Sequence, residues 1–279
     1  VMARVSGFGQ TGPWSQRPGF GTLAEALSGF AHLNGFPDSP PLLPKTGFAD
    51  GIAALYTTFA IMYALYHRDV SGGSGQYIDT SLVEPIFNIM GPEPLQYDQL
   101  GEVAGRTGNQ SSISAPRNVY QSADGRWLAL SASAQRVAMR CFEAIERPEL
   151  KEDPRFADNE SRVENADELD EIIQGWIGER TREEVAEHFD EYGVPVAPVY
   201  NIEDIFEDEH YRAREAVIAV EDEDLGEGKV QSPFPKFSGT PGEVDYLGPS
   251  KGAHNEAVYG EGLGYDAERL ASLEADGVI

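Results

Sequence analysis

Asp50 is the residue whose surroundings best suit it for chemistry. It follows Phe48-Ala49 and precedes Gly51 and an uncharged run to Tyr66. Within that run Ile52, Leu55, Phe59, Met62 and Tyr66 recur at three- and four-residue intervals, and Ala, Ile and Leu fill the other faces. Such a pattern predicts a buried helix, too short over 51–66 to span a bilayer. Asp50 would stand at its N-cap. A carboxylate there can cap the helix by accepting backbone N–H bonds, with the macrodipole favouring its charge. It can also attack an activated carbonyl as an ionised nucleophile, while neighbouring N–H groups stabilise the oxyanion that develops. The local sequence leaves both roles open.

The elements that would position Asp50 lie on either side of it. Downstream, the glycine-rich segment after Arg68 ends the helix, and Gln76-Tyr77-Ile78-Asp79-Thr80 reads as a short strand. Upstream, Pro37 to Pro44 is a proline-rich loop, and Gly21 to Gly35 reads as a helix with Leu23, Ala26, Leu27 and Phe30 as its apolar stripe. His32 near its end suits a favourable charge at a helix C-terminus better than a ligand. Residues 1–12 read as the end of a strand running into a glycine-rich turn. A lone Gly-x-Gly is weak support for a phosphate cradle, because Pro13 and Pro18 intervene before any helix.

Phe48-Ala49-Asp50-Gly51 before an Ala/Leu-rich helix, followed by Ser74-Gly75-Gln76-Tyr77-Ile78-Asp79-Thr80-Ser81-Leu82, resembles the central motif of the family III CoA-transferases, the CaiB/BaiF or formyl-CoA transferase type. Ser6-Gly7-Phe8-Gly9-Gln10-Thr11-Gly12-Pro13 is similar to a second signature of the same family. The resemblance implies that Asp50 is the nucleophile and that Gly7, Gly9, Gln10, Gly19 and Leu82 help form the CoA site. It implies coenzyme A and acyl-CoA as substrates rather than permanently bound cofactors, and transfer of CoA between carboxylic acids through an aspartyl-acyl anhydride and an aspartyl-CoA thioester. Small carboxylates or dicarboxylates are the expected substrates.

The implied fold is α/β, a Rossmann-like large domain with an inserted small α+β domain. Residues 1–105 would open the large domain, 106–209 form the small one, and 210–279 return to the first. Two subunits of such a layout would thread through each other as an interlocked homodimer. In the family the Ser-Gly-Phe-Gly signature follows a long N-terminal portion, whereas here it opens a chain that starts with Val1, so a preceding part is expected. The chain also departs from the formyl-CoA transferases, having Gln110-Ser111-Ser112-Ile113-Ser114 in place of their glycine-rich loop. Formyl or oxalyl specificity therefore lacks its loop.

Two alternatives stay open beside CoA transfer. An alpha-methylacyl-CoA racemase of the same superfamily needs an acid/base pair and draws a histidine from its Pro-Gly-x-x segment. In Arg17-Pro18-Gly19-Phe20-Gly21 that place is taken by Phe20, which leaves racemisation without one of its bases. The other alternative is a non-catalytic CoA-binding chain.

Beyond the central motif, Leu82 to Ile89 is a second apolar segment interrupted by Pro85, and Leu95 to Arg106 reads as a connector. Ala115 to Leu130 is a hairpin around Asp124-Gly125. A helix from about 134 to 146 follows, then Asp153-Pro154-Arg155-Phe156, again similar to the family. Acidic amphipathic helices are expected over 165–177 and 181–192, the latter with a Thr181/Glu184 capping box and Gly193 as its stop. Val194 to Val199 reads as a strand. The acidic runs 203–208 and 221–227 suit solvated faces better than a metal site. Val217 to Phe237 predicts two strands around Gly226-Glu227-Gly228. His254 matches a family histidine and reads as structural.

With 47 acidic against 21 basic residues, the formal net charge is −26. Acid spread along the whole chain resembles a halophilic surface, kept soluble by charge where salt screens self-repulsion. So negative a chain offers no basic stripe for nucleic acid or an anionic membrane, and both are set aside as partners. Cys141 is the single cysteine, which leaves no intrachain disulfide and no cysteine cluster for zinc, and its apolar neighbours suit a core position. No signal-peptide pattern opens the sequence, and the cytoplasm is the default location.

Overall fold

Strands β1 (Met2–Ser6) and β2 (Tyr77–Ser81) pair in parallel, Met2 opposite Tyr77 and Ser6 opposite Ser81. A parallel pair requires a crossover that returns the chain to the same end of the sheet. Here the crossover is helical: α1 (Gly21–Leu27), α2 (Phe30–Leu33) and α3 (Phe48–Asp69). The computed structural model describes residues 1–222 and 225–279. Strand, helices and parallel strand are the α/β arrangement expected from the sequence.

Packing changes the reading of both helices. The single helix expected over 21–35 is two, because Gly29 adopts φ 90, in the left-handed region that ends one helix before α2 begins. The buried face at α1 is Gly21, Ala24, Glu25 and Ser28; of the expected stripe Leu23, Ala26 and Leu27 point outward, while Phe30, on α2, packs against the core. The reason is contact with neighbours: α1 packs against α3 and α4 (Val83–Ile89), and its face there presents small residues and the bonded carboxylate of Glu25.

α3 is likewise not buried all round. Its 22 residues run longer than the uncharged segment, and by length and composition alone it could cross a membrane. It instead lies along α1, α4 and β2 with Ala49, Ala53, Thr57 and Ala64 buried. Leu55, Phe59, Met62, Tyr63 and Tyr66 occupy the other face and are 59–73% exposed. Closely packed neighbours accept the small residues and leave the large ones outward. A helix α5 (Glu93–Leu100) stands where a connector was expected; Pro94 fits its first turn, and Gly101 at φ 70 ends it.

A second core forms around the antiparallel sheet β3 (Arg117–Gln121), β4 (Trp127–Ser131) and, after the helices, β5 (Val196–Pro198), in the order β3-β4-β5. The expected hairpin is present, with Gly125 at φ 76 in its turn. Helices α6 (Gln135–Ala144), α7 (Asn159–Glu164), α8 (Ala166–Ile177) and α9 (Arg182–Glu191) belong with this sheet. Leu128, Leu130, Phe142, Phe156, Ile173 and Phe189 are buried together, each contributing about 1.5–3 kcal/mol by leaving water. Cys141 lies among them as expected, and burial pushes its thiol up to about 12. The Thr181/Glu184 capping box forms, and Gly193 takes φ 62 just after α9. α7 was not expected; Asp158 starts it by accepting the Ser161 N–H at 2.8 Å.

These elements make up the unit Val1–Val199; Tyr200–Ile279 is a second. In the latter the acidic run 203–208 is largely the helix α10 (Ile202–Glu207), started by a capping box between Asn201 and Asp204. It is followed by α11 (Glu209–Ala213), the antiparallel pair β6 (Val217–Asp222) and β7 (Gly226–Gln231), and α12 (Ala267–Ala275). Gly226 pairs with Asp222, so Gly226–Gly228 belong to the second strand rather than to the turn. Glu223 and Asp224, within the second acidic run, lie outside the described residues. The ring of His254 lies 5.4 Å from that of Tyr246.

Candidate active site

Asp50 stands at the third position of α3 and not at its N-cap. The N-cap is Gly47, whose carbonyl accepts the Gly51 N–H at 3.0 Å and so begins the helical ladder one turn before Gly51. Glycine has no side chain with which to cap. The cap comes from another helix: Glu25 of α1, 3% exposed, accepts the Ala49 N–H at 3.2 Å.

With the capping role taken by Glu25, Asp50 is left exposed, and among the described residues neither of its oxygens accepts a hydrogen bond. Its Oδ2 lies against the backbone of Gly21, so close that a β-carbon there would sit 2.4 Å away. A β-carbon on Gly47 would sit 3.3 Å from the same oxygen. Phe48 N–H donates to the Thr46 carbonyl at 2.7 Å, and the Ala49 and Gly51 amides are engaged as described. Among the described residues the Asp50 N–H is thus the first-turn amide without a protein acceptor, which narrows the expected oxyanion donors to one. Ala24, Ala49, Ala53, Leu82 and Ile86 form the apolar floor behind this turn.

The glycine-rich turn after β1 is built on two side chains. Ser6 Oγ accepts the Gly9 N–H at 3.1 Å and the Gln10 Nε2 at 3.2 Å. Asp79 of β2 accepts the Gln10 N–H through both oxygens, at 3.0 and 3.1 Å. Gly9 has φ 84, a conformation that favours glycine. Gly7 and Gly19 meet backbone to backbone, each leaving only 2.9 Å between a built β-carbon and the Cα of the other.

The structure therefore brings Gly7, Gly9, Gln10 and Gly19 into one loop cluster, and Gly19 leads within two residues to Gly21 and its contact with Asp50. Leu82 is 8% exposed in the floor and donates its N–H to the Ser6 carbonyl at 2.9 Å. The segment standing in place of a glycine-rich loop is tied down, with Gln110 Nε2 donating to Asp167 at 2.8 Å and Asp170 at 2.9 Å on α8. An apolar cavity of about 320 Å³, lined by Phe30, Phe36, Leu42, Leu43, Phe48 and Gly108, opens at the start of α3. Among the described residues no three His, Cys, Asp or Glu side chains group as a metal site would require.

Sequence reading missed Glu25, Gly21 and Asp79 as parts of the site. Glu25 carried a signal, a charge four residues after a glycine on a face otherwise of small residues. Asp79 carried none beyond its place in the strand motif.

Residues 1–255 match the model of CoA-transferase family III. Over 279 residues, all of this chain and 69% of the relative, the sequence is 39% identical to succinyl-CoA–D-citramalate CoA-transferase of Chloroflexus aurantiacus. It is 38% identical over 280 residues to the alpha subunit of succinyl-CoA–L-malate CoA-transferase of the same organism, covering all of this chain and 65% of that one. The crystal structure of a CAIB/BAIF family protein from Brucella suis is similar over 94% of this chain and 67% of that one, with a TM-score of 0.78 at 26% identity. The chain thus spans about two thirds of the length of these relatives.

Proposed function

The chain belongs to CoA-transferase family III, and from that premise we propose that the protein moves coenzyme A from an acyl-CoA to a second carboxylic acid with Asp50 as nucleophile. The observation that carries this reading is the exposed carboxylate at the positive end of α3, held against Gly21 and relieved of capping by Glu25. A carboxylate attacking a thioester needs to be ionised, accessible and fixed in place.

The Asp50 oxygen attacks the thioester carbon, and expulsion of the CoA thiolate leaves a mixed aspartyl-acyl anhydride. The thiolate then attacks the carbonyl carbon of Asp50, releasing the first acid as its carboxylate and forming an aspartyl-CoA thioester. The acceptor carboxylate attacks that thioester, again expelling the thiolate and giving a second anhydride. Attack of the thiolate on the acceptor's acyl carbon releases the new acyl-CoA and restores Asp50. In this reading the Asp50 N–H, the first-turn amide without a protein acceptor among the described residues, is the candidate donor to a tetrahedral oxyanion. No group changes oxidation state and no proton donor is required.

In this reading Gly7, Gly9, Gln10, Gly19 and Leu82 shape the CoA site, and no prosthetic group takes part. Succinyl-CoA is the donor named for the relatives at 38–39% identity, and their acceptors are the hydroxy acids citramalate and malate. We infer a succinyl-CoA donor and a small dicarboxylate acceptor here. Racemisation gains no support, since Phe20 at the N-cap of α1 offers no group for proton transfer. The working assembly in this reading is an interlocked homodimer, and the outward apolar face of α3 supplies surface for a second subunit.

The test is chemical trapping. Hydroxylamine added during turnover with succinyl-CoA should modify Asp50, and Asp50→Asn should abolish transfer while leaving the melting temperature nearly unchanged. Modification at another residue, or an active Asn variant, overturns the assignment. Light scattering on the full-length protein decides the assembly, and a stable monomer would contradict it.

A further inference from the structure

We propose that Glu25 is a positioning residue for Asp50, acting through the Ala49 amide; the proposal rests on the reading of Asp50 as nucleophile. Glu25 is 3% exposed and accepts the Ala49 N–H at 3.2 Å. A carboxylate out of water is costly unless it is bonded and compensated. The N-terminus of α3 supplies both the bond and the positive end of a dipole, in a turn whose own N-cap has no side chain.

The geometry gives this bond a consequence for chemistry. Gly21 and Glu25 lie four residues apart, on the same face of α1. Gly21 touches Oδ2 of Asp50, and Glu25 holds the amide of the residue immediately before Asp50. One helix therefore meets the first turn of α3 at two points, one setting the room for the carboxylate and the other the position of its backbone. Glu25 itself is too buried to meet substrate. Its loss should impair alignment in the reacting complex more than substrate binding.

The test compares Glu25→Gln, Glu25→Asp and Glu25→Leu in the full-length protein. Gln can accept the same N–H and should keep kcat within about threefold. Leu lacks the acceptor and should lower kcat about 10- to 100-fold, with KM within about threefold. Asp keeps the charge but falls one methylene short, and should lose kcat as Leu does; this arm decides even where the Leu variant fails to fold. Amide exchange at Ala49 should quicken in the Leu or Asp variant and not in the Gln variant. Wild-type kcat in both the Leu and Asp variants, a Gln variant as impaired as Asp, or a loss confined to KM would overturn the proposal. An Asp50→Asn arm separates the two ideas. Should that variant remain active, the nucleophile reading fails, while Ala49 exchange still reports whether Glu25 holds the turn.

Discussion

A β-carbon on Gly21 would lie 2.4 Å from Oδ2 of Asp50, so the position of the carboxylate and the absence of a side chain at residue 21 are one feature. Gly21→Ala should rotate the Asp50 side chain rather than displace a helix, because the atom met is the end of a side chain. At the first position of α1 the change also reduces unfolded-chain entropy, a gain of up to about 1 kcal/mol. We expect unchanged or slightly raised stability with transfer reduced about 10- to 100-fold. Parallel thermal melts and kcat measurements check it, and full activity in the variant would contradict the contact.

Gly7 and Gly19 present a different case, since each would push a β-carbon to 2.9 Å from the other's Cα. Backbone cannot swing aside as a carboxylate can. Gly7→Ala and Gly19→Ala should each cost about 1–3 kcal/mol, the range for overpacking. Urea unfolding measures this, and the double variant should cost less than the sum because one separation relieves both clashes.

Acid stability should depend on Asp153. The Arg155 guanidinium, donating at 3.0 and 2.6 Å, and then the Arg155 backbone N–H at 2.9 Å hold this carboxyl down to about 2. A depressed folded-state value means stability that is present above the ordinary carboxylate range and lost as pH falls through about 2. The gap in melting temperature between the wild type and Asp153→Asn should be widest at pH 5 and close as the pH approaches 2. A gap that stayed constant over that range would contradict it.

Salt should raise stability. With a net charge of −26, self-repulsion opposes the folded state when screening is weak, and the Debye length falls from about 10 Å at 0.1 M to about 3 Å at 1 M salt. Melting temperature should climb across that range in potassium chloride. A flat or falling profile would show that local ion pairs outweigh the net charge.

What the sequence by itself determined is what short-range physics determines. The hairpin at Asp124-Gly125, the Thr181/Glu184 box, the stop at Gly193 and the core position of Cys141 each depend on turn chemistry, caps or apolar pattern within a few residues. The motif around Asp50 was equally legible, and with it the family. The start of α3 was not, because the N-cap Gly47 has no side chain to accept an amide and the Ala49 N–H is taken by Glu25, 24 residues away. Gln10 and Asp79 are 69 residues apart, and no local pattern links them. Periodicity also showed that α1 and α3 are helices without showing which face is inside. Apolarity favoured the large side chains, but where α1 and α3 meet, the buried positions are glycine, alanine, Thr57 and the bonded Glu25, with Leu82 and Ile86 closing the floor behind them. That steric choice belongs to the neighbours of a helix rather than to its own sequence, so tertiary structure alone placed Gly21 and Glu25 against the turn that carries Asp50.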